Sequence, residues 1–142
     1  MKYSVKKLFF AALSAVLFLS ACGREAPEPQ KVSISLDSNP TTGFSWQVSQ
    51  SEELFTVESV YEADKAGEGL VGVGGTETIT LTPVKPGKTE VTLTYARPWE
   101  GGEQADQLVY TFEVDKDLQV KTADAYSLST DEPIATPAPE IK

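Results

Sequence analysis

The stretch TETITLTPVKPGKTEVTLTYA, residues 76–96, decides the fold class. Its two outer parts, Thr76–Thr82 and Lys88–Ala96, alternate polar and apolar residues with a period of two and are rich in β-branched side chains. Both features are typical of β-strands with one buried face. The sequence VKPGK between them contains a proline–glycine pair that favours a tight turn. The stretch therefore predicts two strands joined by a short turn.

Strand-like runs of the same kind lie on both sides of this pair. Beyond the first residues, no segment shows the period of an amphipathic helix. Short strands at regular spacing without helices indicate an antiparallel β-sandwich or barrel. The flanking runs are Val32–Asp37, Ser45–Ser49, Phe55–Tyr61 and Leu108–Val114, and Leu118–Lys121 is a candidate for one more short strand.

The first 22 residues have the layout of a secretory signal. Lys2, Lys6 and Lys7 accompany the apolar run Leu8–Phe18, which is too short to span a membrane as a helix. The following LSAC, which ends at Cys22, resembles the lipobox of bacterial lipoproteins. That resemblance implies cleavage before the cysteine, lipid attachment to its thiol, and a lipid-anchored protein of the cell envelope. An ordinary signal peptide that contains a cysteine is the weaker alternative.

These patterns divide the chain of 142 residues into four parts. Residues 1–21 are the predicted lipoprotein signal peptide, and the polar, proline-containing residues 22–31 are a linker. Residues 32–122 contain all the predicted strands and form one domain, which is long enough to bury a core. The polar residues 123–142 are predicted to be a disordered tail. Gly23, after the lipidated cysteine, favours the outer membrane if the source is Gram-negative.

The charge of the chain argues against some partners. The whole chain carries −9 at pH 7, and without its first 21 residues nine basic side chains face 21 acidic ones, a net charge of −12. So acidic a surface argues against nucleic acid and against general attraction to anionic membranes. A membrane contact is therefore expected through the lipid alone. Because Cys22 is the only cysteine, no internal disulfide can form.

The residue types argue against an enzyme. The chain has no histidine and its one cysteine is the predicted lipid acceptor, so Ser–His–Asp and Cys–His arrangements and His/Cys metal sites are impossible. A glycosidase-type pair of carboxylates stays open, but the acids cluster in SEE, EADKAGE and the tail, which is typical of a solvated surface. GVGG lacks the lysine, the hydroxyl residue and the following helix of a phosphate-binding loop. No cofactor and no metal are expected.

Three unusual loops are predicted to share one end of the domain. If consecutive strands run up and down, the first, third and fifth connections lie together, and these are NPTTGF, EADKAGEGLVGVGG and RPWEGGEQADQ. The other connections, such as QSEEL and VKPGK, are short. Long loops without regular structure are often functional, and loops grouped on a rigid scaffold form binding edges.

The sequences NPTTGFSW (39–46), LVGVGGTE (70–77) and TYARPWEG (94–101) resemble the three loop motifs of the chagasin family, inhibitors of papain-like cysteine peptidases. LFTVESVY and KPGKTEVTLTY resemble the strands between them, so the resemblance extends over 32–114. It implies an immunoglobulin-like antiparallel β-sandwich of about six to eight strands whose three loops block the peptidase cleft. It also implies that residues 32–122 are a reversible, non-covalent inhibitor domain that acts as a monomer.

The resemblance further implies which residues contact the peptidase. Thr41 would sit near the catalytic cysteine of the peptidase without presenting a scissile peptide. Trp99, expected to be exposed, would flank the cleft as an anchor, and the glycines of the second loop would let backbone approach the opposite wall. The predicted contact residues are Asn39, Pro40, Thr41, Thr42, Gly43, Phe44, Gly72, Gly74, Gly75, Arg97, Pro98 and Trp99.

Several residues keep a second, structural interpretation. Phe44 and Trp46 are expected to anchor the base of the first loop in the core. Arg97 either bonds a peptidase carboxylate or caps its own loop, and the three glycines either approach the peptidase or only form a turn. The family usually has another strand before the one that leads into NPTTG, and too few residues separate Cys22 from Val32 to expect it here. Leu118–Lys121 is the candidate replacement for its edge pairing.

A function of a different class explains the lipobox and the sandwich equally well. The chain would then be a lipid-anchored immunoglobulin-like adhesion or envelope-assembly module without a peptidase target. That alternative leaves unexplained why the three motif loops share one end. Titration of papain activity with the protein discriminates between the two.

Overall fold

The computed structural model describes residues 23, 25–64, 72–99, 101–129 and 134–142. No helix in these ranges is long and apolar enough to cross a membrane. A single turn of 3₁₀ helix lies at Pro40–Thr42. The strands are β1 (Val32–Ser38), β2 (Ser45–Gln50), β3 (Phe55–Ala63), β4 (Gly75–Pro83), β5 (Gly87–Ala96), β6 (Gln104–Val114), β7 (Val120–Ser127) and β8 (Glu140–Ile141).

The strands form two four-stranded sheets. Their orders are β3-β4-β1-β8 and β2-β5-β6-β7, and every pairing in them is antiparallel. The predicted all-β class and the immunoglobulin-like antiparallel sandwich of six to eight strands are confirmed. All six main predicted runs are strands, with ends that differ by a few residues.

The core lies between the sheets and follows the period-two pattern of the sequence. In β1 the inward residues Val32, Ile34 and Leu36 are buried while the residues between them are more exposed. The same alternation buries Ile79 and Leu81 in β4. Burial of these β-branched and leucine side chains stabilises the fold by about 25 cal/mol for each Å² of apolar surface removed from water, and this is the main stabilising contribution. The sandwich is closed further by aromatic residues of β6 and by Trp46.

The C-terminal residues differ from the predicted disordered tail at 123–142. β7 continues to Ser127, and β8 pairs with Val32 and Ser33 of β1. The physical reason is a small number of apolar anchors in a polar sequence: Ile134 and Ile141 pack against the core. We call residues 134–142 the strap, because they run along the open edge of β1.

The strap also corrects the expectation about the missing leading strand. The edge of β1 is paired by Glu140 and Ile141 of the strap, whereas the predicted replacement, Leu118–Lys121, lies beside β6 in the other sheet at the start of β7. Because β8 contains only two residues, no periodic pattern in the sequence could reveal it.

The predicted linker joins the domain at the same end as the C-terminus. The amide of Lys31 donates to the carbonyl of Lys142 (2.8 Å), and the amide of Gln30 donates to the carbonyl of Leu118 (3.1 Å). Further back, the carbonyl of Glu28 accepts from Gln119 Nε2 (3.1 Å). The predicted signal peptide and Cys22 lie outside the described residues.

Candidate functional site

Direct contacts bring the three motif loops together at one end of the sandwich. Loop 1 is Asn39–Phe44, loop 2 is the described part of the β3–β4 connection at 72–74, and loop 3 is the β5–β6 connection at 97–103, without residue 100. Loop 1 is hydrogen-bonded to both of the others. The predicted grouping of the loops is therefore what the structure contains.

Loop 1 is a compact turn closed by its own backbone. The carbonyl of Asn39 accepts from the amide of Thr42 (3.1 Å) and from its Oγ1 (2.7 Å). Pro40 occupies the first helical position, where its fixed φ fits and its missing N–H is not needed. Gly43 ends the turn at φ +83°, in the left-handed region that glycine adopts without strain, and its amide donates to Pro40 (3.0 Å).

Asn39 ties loop 1 to its surroundings through both ends of its side chain. Its Nδ2 donates to the carbonyl of Gly72 in loop 2 (3.2 Å), and its Oδ1 accepts from Thr41 Oγ1 (2.5 Å). Its backbone amide donates to the hydroxyl oxygen of Tyr95 at the end of β5 (2.9 Å). The side chain thereby fixes both the tip of loop 1 and its distance from loop 2.

Arg97 performs the corresponding task between loops 1 and 3. Its Nε donates to the carbonyl of Thr42 (3.3 Å), its guanidinium carbon lies 4.6 Å from the centre of the Phe44 ring, and its Nη1 pairs with Glu103 at 3.1 Å. Of the two interpretations that the sequence left open, the structure therefore shows the local one. The side chain of Arg97 is one-third exposed, so its remaining donors face solvent.

Trp99 is exposed, as predicted, with 56 % of its surface accessible. It does not stand free, however, because its ring lies against Gly43 of loop 1. A Cβ added at Gly43 would come within 2.7 Å of Trp99 Cη2. The glycine is required twice, once for its positive φ and once for the close approach of the indole.

The three glycines of the second motif differ in position. Gly72 is exposed with φ +86°, and Gly74 lies beside the carbonyl of Ser38. Gly75 is buried in β4, where a Cβ would collide with the backbone of Glu62 and Ala63. Gly75 is thus inside the sheet, where strand packing explains it. Gly72 and Gly74 lie in loop 2 itself.

The base of loop 1 rests on an aromatic stack. Tyr95 lies between Phe44, with ring centres 5.3 Å apart, and Trp46, at 5.0 Å. Trp46 is buried and its Nε1 donates to the carbonyl of Asp37 (3.0 Å), whereas Phe44 is half-buried. The structure places Trp46 in the core, as predicted, whereas Phe44 stacks on Tyr95 and Arg97 outside the core.

Two residues that support the site were missed from the sequence. Tyr95 stands at the end of β5, just before loop 3, and an aromatic residue at such a position signals a packing role. Glu77 is buried and accepts from Ser38 Oγ (2.9 Å) and Ser59 Oγ (2.6 Å), which joins β1, β4 and β3 below the loops. The sequence could have revealed Glu77 through the period-two pattern of β4, because Glu77 is two residues before Ile79 and its side chain therefore points inward as well.

The described surface of the loop end offers contacts without reactive groups. Pro40, Thr41, Thr42 and Pro98 are exposed, and none of them is a nucleophile activated by a base or a titratable group. The exposed Trp99 adds an apolar surface beside them. Such a surface can bind a concave partner by shape and by hydrogen bonds.

The protein is a β-sandwich with three hydrogen-bonded loops at one end, and the described residues of these loops have no reactive groups. This architecture is that of a binding protein. A model of the chagasin family of peptidase inhibitors (I42) matches residues 25–114 of the chain. The chain therefore belongs to the chagasin family. Because the members of this family inhibit peptidases, the prediction that the chain is not an enzyme is confirmed.

Individual relatives are similar to parts of the chain. Chagasin of Trypanosoma cruzi is 45% identical over 76 residues, which are 49% of this chain and 67% of that protein. Amoebiasin-2 of Entamoeba histolytica is 34% identical over 74 residues, 51% of this chain and 60% of that protein. The crystal structure of the cysteine protease inhibitor EhICP2 of Entamoeba histolytica aligns with a TM-score of 0.49 and 32% identity, over 57% of this chain and 75% of that one.

Proposed function

We propose that the protein is a reversible, non-covalent inhibitor of papain-like cysteine peptidases that blocks the active-site cleft with loops 1, 2 and 3. Membership of the chagasin family supports inhibition of a peptidase. The observation that carries the proposal is the interlocking of the loops by Asn39 and Arg97. An interface of the common size would bury about 800 Å² on each partner.

In this proposal Thr41 occupies the position next to the catalytic thiolate. Thr41 is exposed at the tip of loop 1, and its hydroxyl already donates to Asn39 Oδ1. A tip held in one conformation loses little conformational entropy on docking. It also resists rearrangement into the extended geometry that a peptidase needs for attack on a peptide carbonyl, so it occupies the cleft without being cleaved.

Loops 2 and 3 contact the two walls of the cleft beside the tip. Trp99 provides a large apolar surface of the type that concentrates binding energy. Gly72 and Gly74 have no side chains, so the backbone of loop 2 can approach the other wall closely, although its carbonyls already accept hydrogen bonds from Asn39, Tyr61 and Asp64. Pro40, Thr42, Gly43, Phe44 and Pro98 complete the surface or support it.

Titration of papain with the purified protein tests this proposal. We expect a stoichiometric, reversible loss of activity, and recovery of the inhibitor at unchanged mass after dissociation. Thr41→Asp should weaken inhibition at least ~10-fold, because it would bury an unpaired charge in the cleft. The matched control is Thr56→Asp, which adds the same charge on exposed β3.

Cleavage of the inhibitor between Asn39 and Phe44 would replace this mechanism with a substrate-like one. Absence of inhibition across a panel of papain-like peptidases, from folded protein, would contradict the proposal itself. The panel also shows which peptidases are bound most tightly.

We also propose that the protein acts as a monomer that is anchored to the cell envelope by lipid on Cys22. The motif LSAC and the basic and apolar residues before it support this location. In expressing cells, Cys22→Ala should release soluble protein or stall the precursor. Persistent membrane association with unmodified mobility would contradict the anchor.

A further inference from the structure

The free edge of β3 is the longest unpaired strand edge among the described residues. β3 pairs with β4 in unbroken register from Phe55 to Ala63, and no strand in the described part of the chain lies beside its other edge. At the edge of β1, β8 pairs with Val32 and Ser33, which leaves the shorter stretch Ile34–Ser38, and the edge strand β2 has only six residues. The register of β7 on β6 is interrupted by a bulge, which limits pairing at that edge.

The alternation of hydrogen bonds identifies the backbone groups at this edge. The amide of Asp64 bonds to Gly74 in the β4 direction, so even-numbered residues of β3 bond to β4 and odd-numbered residues point to the free edge. Phe55 confirms this phase, because its amide and carbonyl are both bonded by the side chain of Gln50. The amides and carbonyls of Val57, Ser59 and Tyr61 therefore point to the free edge of β3.

The side chains at this edge present two different faces. Toward the second sheet, Val57 is 39% exposed and Tyr61 36% exposed, so the sandwich leaves both partly uncovered. On the outer face, Glu58 and Glu62 are exposed on either side of Val60. The ion pairs between described residues do not include these two carboxylates.

From these observations we infer that the β3 edge binds an extended peptide segment with alternating basic and apolar residues, which adds to the sheet as an antiparallel strand. Its apolar side chains cover Val57 and Tyr61, and its basic side chains lie opposite Glu58 and Glu62. Backbone hydrogen bonds give affinity and alternate side chains give specificity in such β-augmentation. Cross-strand pairs of opposite charge stabilise it further, and like charges opposite each other destabilise it.

The charge of the chain favours this partner over a second copy of the protein. The chain carries −9 at pH 7, so two copies repel each other, whereas a basic segment is attracted. The β3 edge ends beside loop 2, where the Tyr61 hydroxyl donates to the carbonyl of Val73 (3.4 Å). The peptide is proposed to bind the strand edge and not the loops, so the inference does not depend on the proposed inhibition of peptidases.

The test uses the purified protein and a labelled peptide, acetyl-KVKVKVK-amide, with KKKVVVK as a control of the same charge and composition. Fluorescence anisotropy should give binding of the alternating peptide about tenfold tighter than of the control. Methylation of the backbone nitrogens of the three valines, which face β3 in the antiparallel register, should abolish binding. Methylation of the backbone nitrogens of the lysines, which face away from β3, should leave binding intact.

Two charge-reversal variants locate the site. The E58K/E62K variant should bind the alternating peptide about tenfold more weakly. The E52K/E53K variant makes the same change in net charge on exposed residues of the β2–β3 connection and should bind normally. Amide exchange at Val57, Ser59 and Tyr61 should slow when the peptide binds.

Three results would overturn the inference. These are equal binding of the two peptides, an equal loss of binding in the two charge-reversal variants, and self-association of the protein that protects the same three amides without peptide. The last would assign the edge to a second copy of the chain. Inhibition of papain is measured in parallel, and its failure would leave the peptide result unaffected.

Discussion

Two groups of residues meet in the three loops: those that hold the loops and those that the loops present. Asn39 and Arg97 direct their side chains to neighbouring loops and hold them by internal hydrogen bonds. Thr41 and Trp99 lie at the surface. The sequence motifs alone place all four in one set of contact residues, and only the geometry separates them.

Trp99→Ala tests the residue that the loops present. If the indole is an anchor of the interface, its removal should raise the inhibition constant for papain by an amount equivalent to roughly 2–4 kcal/mol, where each 1.4 kcal/mol is about tenfold. The control Val84→Ala removes an exposed apolar side chain at the opposite end of the sandwich and should leave inhibition unchanged. A loss below threefold would show that Trp99 is not the anchor.

Asn39→Asp tests a residue that holds the loops. The carboxylate keeps the shape of the side chain and the acceptor for Thr41, but it cannot donate to the carbonyl of Gly72 and would face it with a negative charge. Because this hydrogen bond is exposed, its loss costs about 0.5–1.5 kcal/mol, so inhibition of papain should weaken by about two- to tenfold. The control for the added negative charge is Ser49→Asp, at an exposed position of β2. Unchanged inhibition by Asn39→Asp would remove the Asn39–Gly72 hydrogen bond from the mechanism.

Part of this residue-scale picture could be predicted from the sequence. Exposure of Trp99 followed from its place after a proline and before glycines, and the anchoring of Trp46 followed from its being a large aromatic residue at the base of the first loop. The role of Arg97 could not be decided, because its partners Thr42 and Phe44 are distant in sequence. The packing reason for Gly75 could not be predicted for the same reason, since the backbone of Glu62 and Ala63 that excludes a side chain there belongs to the neighbouring strand β3.

At the scale of elements, the strap adds a short strand to the start of the β1 edge. The amide of Lys142 donates to Lys31, so the alternation of β8 places the nitrogen of the adjacent Pro139 on the side away from β1. Proline at this position leaves no donor for a further strand, which disfavours pairing with other chains there. The strands themselves were predictable from period-two patterns, whereas the strap depends on single anchors such as Ile134 and Ile141.

Tyr110 joins the strap to the second sheet and makes the stability of the protein sensitive to alkaline pH. Its hydroxyl donates to the carbonyl of Pro137 (2.9 Å), and burial raises its pKa to about 12. The unfolded value is about 10. Because the folded state favours the protonated form, the contribution of Tyr110 to stability is fully present below about pH 10 and is lost as the pH rises through about 12.

Tyr110→Phe should therefore lower the free energy of unfolding by about 1 kcal/mol at neutral pH, through loss of one hydrogen bond. Between about pH 10 and pH 12, the free energy of unfolding of the wild type should fall because Tyr110 ionises more readily in the unfolded state. The variant lacks this hydroxyl and should not show that part of the fall. Urea unfolding at several pH values measures both effects, and Tyr126→Phe, at an exposed position of β7, is the control. Parallel pH profiles of wild type and Tyr110→Phe would show that the tyrosine does not couple the strap to pH.

At the scale of the whole molecule, the chain enters the first strand at the end opposite the loops, which is the end where we propose attachment. β1 runs from Val32, beside the C-terminus, to Ser38, next to loop 1, and seven residues of strand span about 23 Å. Glu28 is still held at the attachment end by Gln119. The six residues from there back to Cys22 reach at most about 20 Å, so a surface bound at Cys22 stays away from loop 1.

Coupling of the protein to beads through its only cysteine tests this arrangement. Beads that carry unlipidated protein linked at Cys22 should capture papain as well as beads linked at Val84→Cys in a Cys22→Ser background, because both positions leave the loops free. Linkage at Thr42→Cys in the same background should prevent capture, because it directs loop 1 toward the bead. Papain activity that remains in the supernatant measures capture in each case. Failure of the Cys22-linked beads, with the Val84→Cys beads active, would show that the tether end obstructs the loops.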